Sequence, residues 1–161
     1  MIFVTVGHQM PFDRLVRLVD QWANNHPEIS IYAQIGESDY RPDHIDYARL
    51  MSREEFDMKL RESDAVIAHA GTGTIIQALL EQKPMLVLPR LSRFAETRND
   101  HQVATARHFS EQGLVDAAFD DNSFRGRLDQ FRNFRPAQRV TEQASDELLA
   151  RLRSFVALSP G

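Results

Sequence analysis

The residues of this chain that are best suited to chemistry form a Gly/Thr loop, residues 71–74, which is separated from His69 by Ala70. Its two glycines let a ligand approach the backbone closely, and the hydroxyls of Thr72 and Thr74 add hydrogen-bond donors. An apolar run precedes the loop, and apolar residues follow it at helical spacing over 75–80. The pattern predicts a strand, a loop and a helix whose first amides face an anion such as phosphate or diphosphate. A tight turn capped by Thr72 or Thr74 is the structural alternative.

Other polar residues could share this site. Gln77 lies on the helix that follows the Gly/Thr loop, where its amide can hydrogen-bond a ribose hydroxyl or be an ordinary half-exposed side chain. The segment 99–102 begins a later helix, with Asp100 as a candidate cap and His101 and Gln102 as donors to an anion. Three arginines precede that helix and are suited to phosphate or carboxylate recognition. They are Arg90, Arg93 and Arg98.

Composition narrows the class of protein. The chain has 161 residues, no cysteine and a formal net charge of −4. These values favour one domain without disulfides or zinc–thiolate sites, and they lack the basic footprint of a nucleic-acid binder. The six histidines are scattered, so we expect no metal site. No signal segment or membrane-spanning run is present, so we expect a cytoplasmic protein that reaches a membrane only through something else.

The elements that must position these residues alternate along the chain. Apolar β-rich runs predict strands over 2–6, 29–35, 45–50, 66–68, 85–88 and 114–115. Helices are predicted between them, one of which opens with a capping box formed by Ser52 and Glu55. The order predicts an α/β fold, a Rossmann-like parallel sheet with helices on both faces. In such sheets the loops at the carboxyl ends of the strands form the binding edge.

The C-terminal part, from about residue 120, is predicted to be helical, with helices over 123–131 and 141–158. Phe124, Leu128 and Phe131 share one face of the first of these, beside several arginines. Such a face could lie on an anionic membrane or meet an acidic partner, or the arginines could simply be solvated. No linker divides the chain, so we expect one domain over 1–161.

Several motifs together resemble the C-terminal, donor-binding half of glycosyltransferase family 28. They cover about residues 1–115, and the His-Ala-Gly-x-Gly-Thr block with the later His-Gln is the most specific part. The motifs are Val4–Gly7 with Pro11–Arg14, Gln34–Gly36, His69–Thr74, Lys83-Pro84 and Arg98–Gln102. Within the family the chain is similar to small stand-alone subunits of bacterial exopolysaccharide glucuronosyltransferases, and to the catalytic subunit of the eukaryotic two-subunit enzyme of the dolichol pathway.

The resemblance implies half of a GT-B glycosyltransferase that binds a UDP-sugar without a metal or other cofactor. A separate membrane-anchored subunit would supply the acceptor side, and the acceptor would be a lipid-linked oligosaccharide. The implied UDP-sugar contacts are Gly7, Gln34, Gly36, Leu50, Met51, His69, Gly71, Thr72, Gly73, Thr74, Gln77, Arg90, Asn99, His101 and Gln102. Two departures from the family pattern stand out: Gln77 replaces a common glutamate, and His8 replaces a common threonine.

The implied reaction moves a sugar, possibly glucuronate, from UDP to the acceptor hydroxyl. His8, His69 and Asp100 are the candidates for a general base, which could equally lie on the partner. Two other functions stay open: a non-catalytic enhancer or UDP-sugar-binding subunit, and a stand-alone enzyme of related half-fold such as a nucleotide-sugar epimerase.

Overall fold

The computed structural model describes residues 1–131 and residue 150, and its centre is a parallel sheet. The strands are β1 (Ile2–Thr5), β2 (Ile31–Gln34), β3 (Asp46–Ala48), β4 (Ala65–His69), β5 (Met85–Leu88) and β6 (Asp116–Ala117). The helices are α1 (Asp13–Asn24), α2 (Arg53–Glu62), α3 (Thr72–Leu80), α4 (His101–Glu111) and α5 (Asp121–Phe131). A 3-10 turn spans Ser92–Phe94. The helix predicted over 141–158 falls outside the described residues.

The sheet confirms the predicted α/β class. Its strand order is β3-β2-β1-β4-β5-β6, and every neighbouring pair is parallel. From β1 the chain moves outward to β3, then returns to β4 on the other side of β1 and moves outward again. The direction therefore reverses between β1 and β4, and sheets of this kind bind ligands outside the carboxyl ends of the strands at such a point.

Helices cover both faces of the sheet. One apolar cluster joins the sheet to α1 and α5, and the other joins it to α2, α3 and α4. Phe3 of β1 meets Phe56 of α2 edge-on, with ring centroids 5.2 Å apart. No helix in the described part of the chain is long and apolar enough to cross a membrane.

The apolar face of α5 is buried. Phe124, Leu128 and Phe131 are at most 2% exposed and belong to the first cluster. Arg125 donates to Gln21, and Arg127 pairs with Asp116. This apolar face is therefore part of the core and is not free to bind a membrane. The later arginines of the same basic segment, Arg132, Arg135 and Arg139, fall outside the described residues.

Two strand predictions need correction. The last strand is Asp116–Ala117, not 114–115, because Leu114 and Val115 are buried in the second cluster before the chain reaches the sheet. The amide of Leu114 donates to Phe109 at the end of α4. The third strand is only Asp46–Ala48. The predicted capping box is confirmed, since Ser52 and Glu55 each accept from the other's backbone amide, at 3.2 and 2.7 Å.

A buried carboxylate on α1 fastens the long connection between β2 and β3. Asp20 is 2% exposed and accepts hydrogen bonds from the Tyr40 hydroxyl at 2.6 Å and from the amides of His44 at 2.8 Å and Asp43 at 3.3 Å. Burial alone would raise the pKa of Asp20, but these hydrogen bonds outweigh it and lower the pKa. The hydrogen bond between the Tyr40 hydroxyl and Asp20 raises the pKa of Tyr40 to about 12.

We predict that Asp20→Asn lowers the free energy of unfolding by about 2 kcal/mol, because the amide leaves buried donors without acceptors. Since the folded-state pKa of Asp20 is lowered, its contribution is present above pH ~4 and is lost as pH falls through the folded pKa. Urea unfolding at pH 7 and at pH 3 measures both effects. Asp46→Asn, on the exposed edge strand, is the matched control, and equal losses in the two variants would contradict the assignment.

Candidate functional site

The centre of the binding edge is the gap between the loops that follow β1 and β4. The two strands are neighbours, but their loops lead to α1 on one face of the sheet and to α3 on the other. Gly7 lies in the first loop, with φ at +76°, and Gly71 lies in the second. This divergence opens the edge of the sheet at the point where parallel sheets bind ligands.

The imidazole of His69 lies between the two loops. A Cβ at Gly7 would come within 2.6 Å of its Cε1, and a Cβ at Gly71 within 2.2 Å of its Nε2. Both positions must therefore lack a side chain for the ring to fit. Gly7 has a second reason to be glycine, because its backbone is in the left-handed region.

His69 is neutral at physiological pH. Burial lowers its pKa to about 4, with smaller contributions from the positive charges of Arg90 and His8, against an opposing effect of the Thr5 backbone. Its Nδ1 atom is buried and completes no hydrogen bond. A buried polar atom without a partner is unusual in a folded protein, so His69 holds an unused hydrogen-bonding group beneath the loops.

The N-terminus of α3 is open. Gly71 occupies the N-cap position and makes no side-chain cap, and the first turn contains no acidic residue. A Cβ at Gly73 would meet nothing within 4 Å. The alternative of a Thr cap is therefore not what the structure shows, and no side chain caps the first amides of the helix. Uncapped amides at a helix N-terminus attract anions through their partial positive charge.

Arg90 differs from its predicted role as a ligand contact. Arg90 is 3% exposed, and its two terminal nitrogens donate to backbone carbonyls. The acceptors are Val6 at 2.6 Å, Met10 at 2.6 Å, Pro11 at 2.7 Å and Glu96 at 3.3 Å. Burial lowers the pKa of Arg90 to about 10, which leaves the group charged. Arg90 therefore fixes the loop after β1 and has its terminal nitrogens committed to the fold.

Gln34 also braces the fold and offers no free amide to a ligand. It is fully buried: its Oε1 accepts from the Thr5 hydroxyl at 2.7 Å, and its Nε2 donates to the carbonyls of Gly7 at 3.2 Å and Arg49 at 3.3 Å. Gly36 turns the chain beside it, with φ at +58°. The structure thus gives the Gln34 side chain a positioning role in the fold, and the UDP-sugar contact that the resemblance implies at Gln34 stays a prediction. Leu50, by contrast, is 66% exposed at the same edge.

A histidine cleft, defined here as the space between the loop after β1 and the start of α4, has a volume of about 60 Å³. The exposed rings of His8 and His101 stand on its two sides. Its lining residues are Val6, His8, Gln9, Met10, His69, Arg90, Glu96, Thr97, His101 and Gln102. The cleft therefore brings His8, His69 and His101 together, and their roles as catalytic or UDP-sugar-binding residues stay predictions.

The start of α4 differs in detail from the prediction. Asp100 does not cap the helix; its Oδ1 accepts from the Ser92 amide at 2.7 Å, which lowers the pKa of Asp100. Asn99 instead accepts from the His101 amide at 3.2 Å and contacts its ring. Gln102 is buried, and its Oε1 accepts from the Arg90 amide at 3.0 Å. Asp100 and Gln102 therefore act within the fold.

Sequence reasoning missed Glu96, which is 8% exposed at the border of the histidine cleft. Its Oε1 accepts from Nε of Arg14 at 2.7 Å, and its Oε2 accepts from Nη2 of Arg14 at 2.8 Å and from the Leu91 amide at 2.9 Å. Arg14 and Glu96 are 82 positions apart, so no local pattern announces the pair. Among the described residues, no three His, Asp or Glu side chains converge as a metal site would require.

Sheet order, covered faces and an open helix N-terminus at the reversal point define this protein as a single half-domain of the GT-B class. The model of the glycosyltransferase family 28 C-terminal domain matches residues 1–152, and the chain belongs to this family. The resemblance drawn from the sequence motifs is thereby confirmed.

Solved structures share the fold at low sequence identity. The NMR solution structure of ALG13 superposes with a TM-score of 0.63 at 22% identity, covering 92% of this chain and 94% of that one. The glycotransferase of kitacinnamycin superposes with a TM-score of 0.62 at 16% identity, and the match covers 95% of this chain and 39% of that one. UDP-GlcNAc 2-epimerase from Neisseria meningitidis, bound to UDP-GlcNAc, superposes with a TM-score of 0.59 at 13% identity, and the match covers 95% of this chain and 44% of that one. This chain thus spans under half of the last two proteins and nearly all of ALG13.

We predict that the packing between Gly71 and His69 can be measured by a double-mutant cycle. Gly71→Ala should lower the free energy of unfolding by about 1–3 kcal/mol, because the new methyl group overlaps the ring. The same change in a His69→Ala background should cost little, since φ at Gly71 is −84° and suits any residue.

Gly7→Ala is the control for this cycle. Its backbone is left-handed, so it should remain destabilising by about 1–2 kcal/mol even without the ring. Denaturant unfolding of the single and double variants gives all the values. An equal cost of Gly71→Ala in both backgrounds would show that the ring does not fill this space.

Proposed function

We propose that this chain is the donor-binding, catalytic subunit of a two-subunit UDP-sugar glycosyltransferase. The observation that carries the proposal is the uncapped N-terminus of α3, open at Gly73, next to a half-buried His69 whose Nδ1 atom has no hydrogen-bond partner. A diphosphate suits this arrangement because backbone amides and two threonine hydroxyls can donate to it. Membership of glycosyltransferase family 28 supports a sugar nucleotide as the source of that diphosphate.

In the proposed reaction an acceptor hydroxyl attacks the anomeric carbon while UDP departs. The bond to the diphosphate oxygen breaks, and negative charge grows on the leaving group. We assign stabilisation of that charge to the first turn of α3 and to Thr72 and Thr74, so that no metal is required. His69, through its neutral ring, supports the loop from below.

The proton of the attacking hydroxyl needs an acceptor, and His8 suits this role best among the three candidates. Its ring is exposed at the histidine cleft. Asp100 is held by the Ser92 amide, and His69 is confined between two loops. We therefore assign His8 as the general base. We place Asn99 and His101 at the sugar end of the cleft, and Leu50 and Met51 beside the uracil of UDP.

We place the acceptor side of the reaction on a membrane-anchored partner. The chain spans 39% of a glycotransferase and 44% of an epimerase with the same fold, but 94% of ALG13. On this proposal the second half of the enzyme would be a separate polypeptide. The acceptor would be a lipid-linked oligosaccharide of bacterial exopolysaccharide synthesis, and the partner would recruit this chain from the cytoplasm to the inner face of the membrane.

Glucuronate is the proposed sugar, and its carboxylate requires a cation. Because the terminal nitrogens of Arg90 are committed to carbonyls, the exposed Arg93 and Arg98 of the same loop are the proposed partners. A non-catalytic subunit that binds UDP-sugar, or that only enhances its partner, is the alternative function.

We predict that Gly73→Val weakens UDP binding at least tenfold, because the side chain fills the space through which a phosphate would reach the helix amides. The protein should stay folded, since nothing lies within 4 Å of that position. Gly126→Val, at an equally open glycine on α5, is the matched control and should leave UDP affinity unchanged. Calorimetry measures both, and unaltered affinity in Gly73→Val would refute the assignment.

We predict that transfer requires both subunits and survives EDTA. The chain should be co-expressed with a membrane-anchored protein encoded beside its gene and assayed against UDP-glucuronate, UDP-glucose and UDP-GlcNAc.

In the same assay, His8→Ala should lower turnover by about 10²-fold or more with little change in UDP affinity. Activity of the purified chain alone would favour a stand-alone enzyme, and full activity of a complex carrying Gly73→Val would favour the enhancer role.

A further inference from the structure

We propose that Asp57 of α2 and Gln77 of α3 together recognise the ribose hydroxyls of the nucleotide, so that the chain selects ribonucleoside over 2′-deoxyribonucleoside diphosphates. This inference rests on the proposed function, because it takes the diphosphate to lie at the N-terminus of α3. It adds a specificity-determining carboxylate, Asp57, from a helix that carries none of the site residues described above.

The two side chains meet between neighbouring helices. Nε2 of Gln77 donates to Oδ1 of Asp57 at 3.4 Å. The other carboxylate oxygen, Oδ2, accepts from Nε of Arg53 at 3.1 Å. The Asp57 side chain is 31% exposed, so it is accessible to a ligand while both of its oxygens are oriented by protein groups.

Both side chains lean toward the binding edge. α2 and α3 each begin at the carboxyl end of a strand, and the Cα–Cβ bonds of a helix tilt toward its N-terminus. Gln77 lies five residues after Thr72, a rise of about 8 Å along the helix. That rise is comparable to the span of one phosphate and one sugar ring, so a nucleoside attached to a diphosphate at α3 would bring its ribose to this pair.

The pair has the hydrogen-bonding capacity that a vicinal diol needs. A carboxylate only accepts, whereas an amide both donates and accepts. Two adjacent hydroxyls can therefore donate to Asp57 and accept from Gln77 at the same time, with Arg53 holding the carboxylate in place. A 2′-deoxyribose loses one of these partners, so its complex lacks a hydrogen bond between a hydroxyl and the oriented pair, which is the basis of discrimination against an analogue that lacks a hydroxyl.

The test is calorimetric titration of the purified chain with UDP, 2′-deoxy-UDP and inorganic pyrophosphate. The wild-type protein should bind UDP at least tenfold more tightly than 2′-deoxy-UDP. In Asp57→Ala this ratio should fall to within about twofold, and pyrophosphate affinity should not change. Asp57→Asn, which keeps the size but loses one acceptor, should give an intermediate ratio.

Glu62→Ala on the same helix is the matched control. Glu62 pairs with Lys59 at 3.8 Å as an exposed helix carboxylate, and its removal should leave the ratio unchanged. Equal affinity of the wild-type protein for UDP and 2′-deoxy-UDP, or a full preference retained in Asp57→Ala, would overturn this inference alone. Failure of the wild-type protein to bind either UDP or pyrophosphate would overturn both the inference and the proposed function.

Discussion

The site depends first on the burial of one cation, Arg90. Its two terminal nitrogens bind four backbone carbonyls, three of them in the chain between β1 and α1. The Cζ atom of Arg90 also lies over the ring of Phe12, 4.8 Å from the ring centroid. Each hydrogen bond to a charged group contributes roughly 1.5–3 kcal/mol, which offsets the cost of removing the guanidinium from water. The loop that carries Gly7 and His8 is therefore held as rigidly as a core element, although it has no regular secondary structure.

That rigidity has a consequence for His69. The loop after β1 cannot move away from the imidazole, and the loop after β4 closes on its other side, so glycine is needed at both positions of contact. The charge of Arg90 adds to burial in keeping the ring neutral. A ring packed between two loops does not have to be rearranged when an anion binds beside it, which is the condition for a preorganised site.

The sequence predicted the parts of the molecule that local patterns control. The parallel sheet, the Ser52 capping box and the Gly/Thr loop each follow from neighbouring residues, and each is present. The structural roles of Arg90, Gln34 and Gln102 could not be predicted from neighbouring residues, because their hydrogen-bond partners lie 6 to 84 positions away in the chain. A polar residue in a functional motif can contact the ligand or hold the residue that does. Spacing alone does not separate these roles, whereas burial and hydrogen-bond partners do.

On the proposed function, the distribution of charge explains why half of the cleft would bind a donor yet need a partner to transfer its sugar. The half-buried Arg14 and the buried Arg90, both near the cleft, are engaged with Glu96 and with backbone carbonyls. Anion stabilisation by the described residues then rests on helix amides and neutral donors that face water, where such dipoles act weakly. A second polypeptide over the edge of the sheet would exclude that water. The same amides would then stabilise the departing diphosphate far more strongly, because electrostatic energy rises as the effective dielectric constant falls.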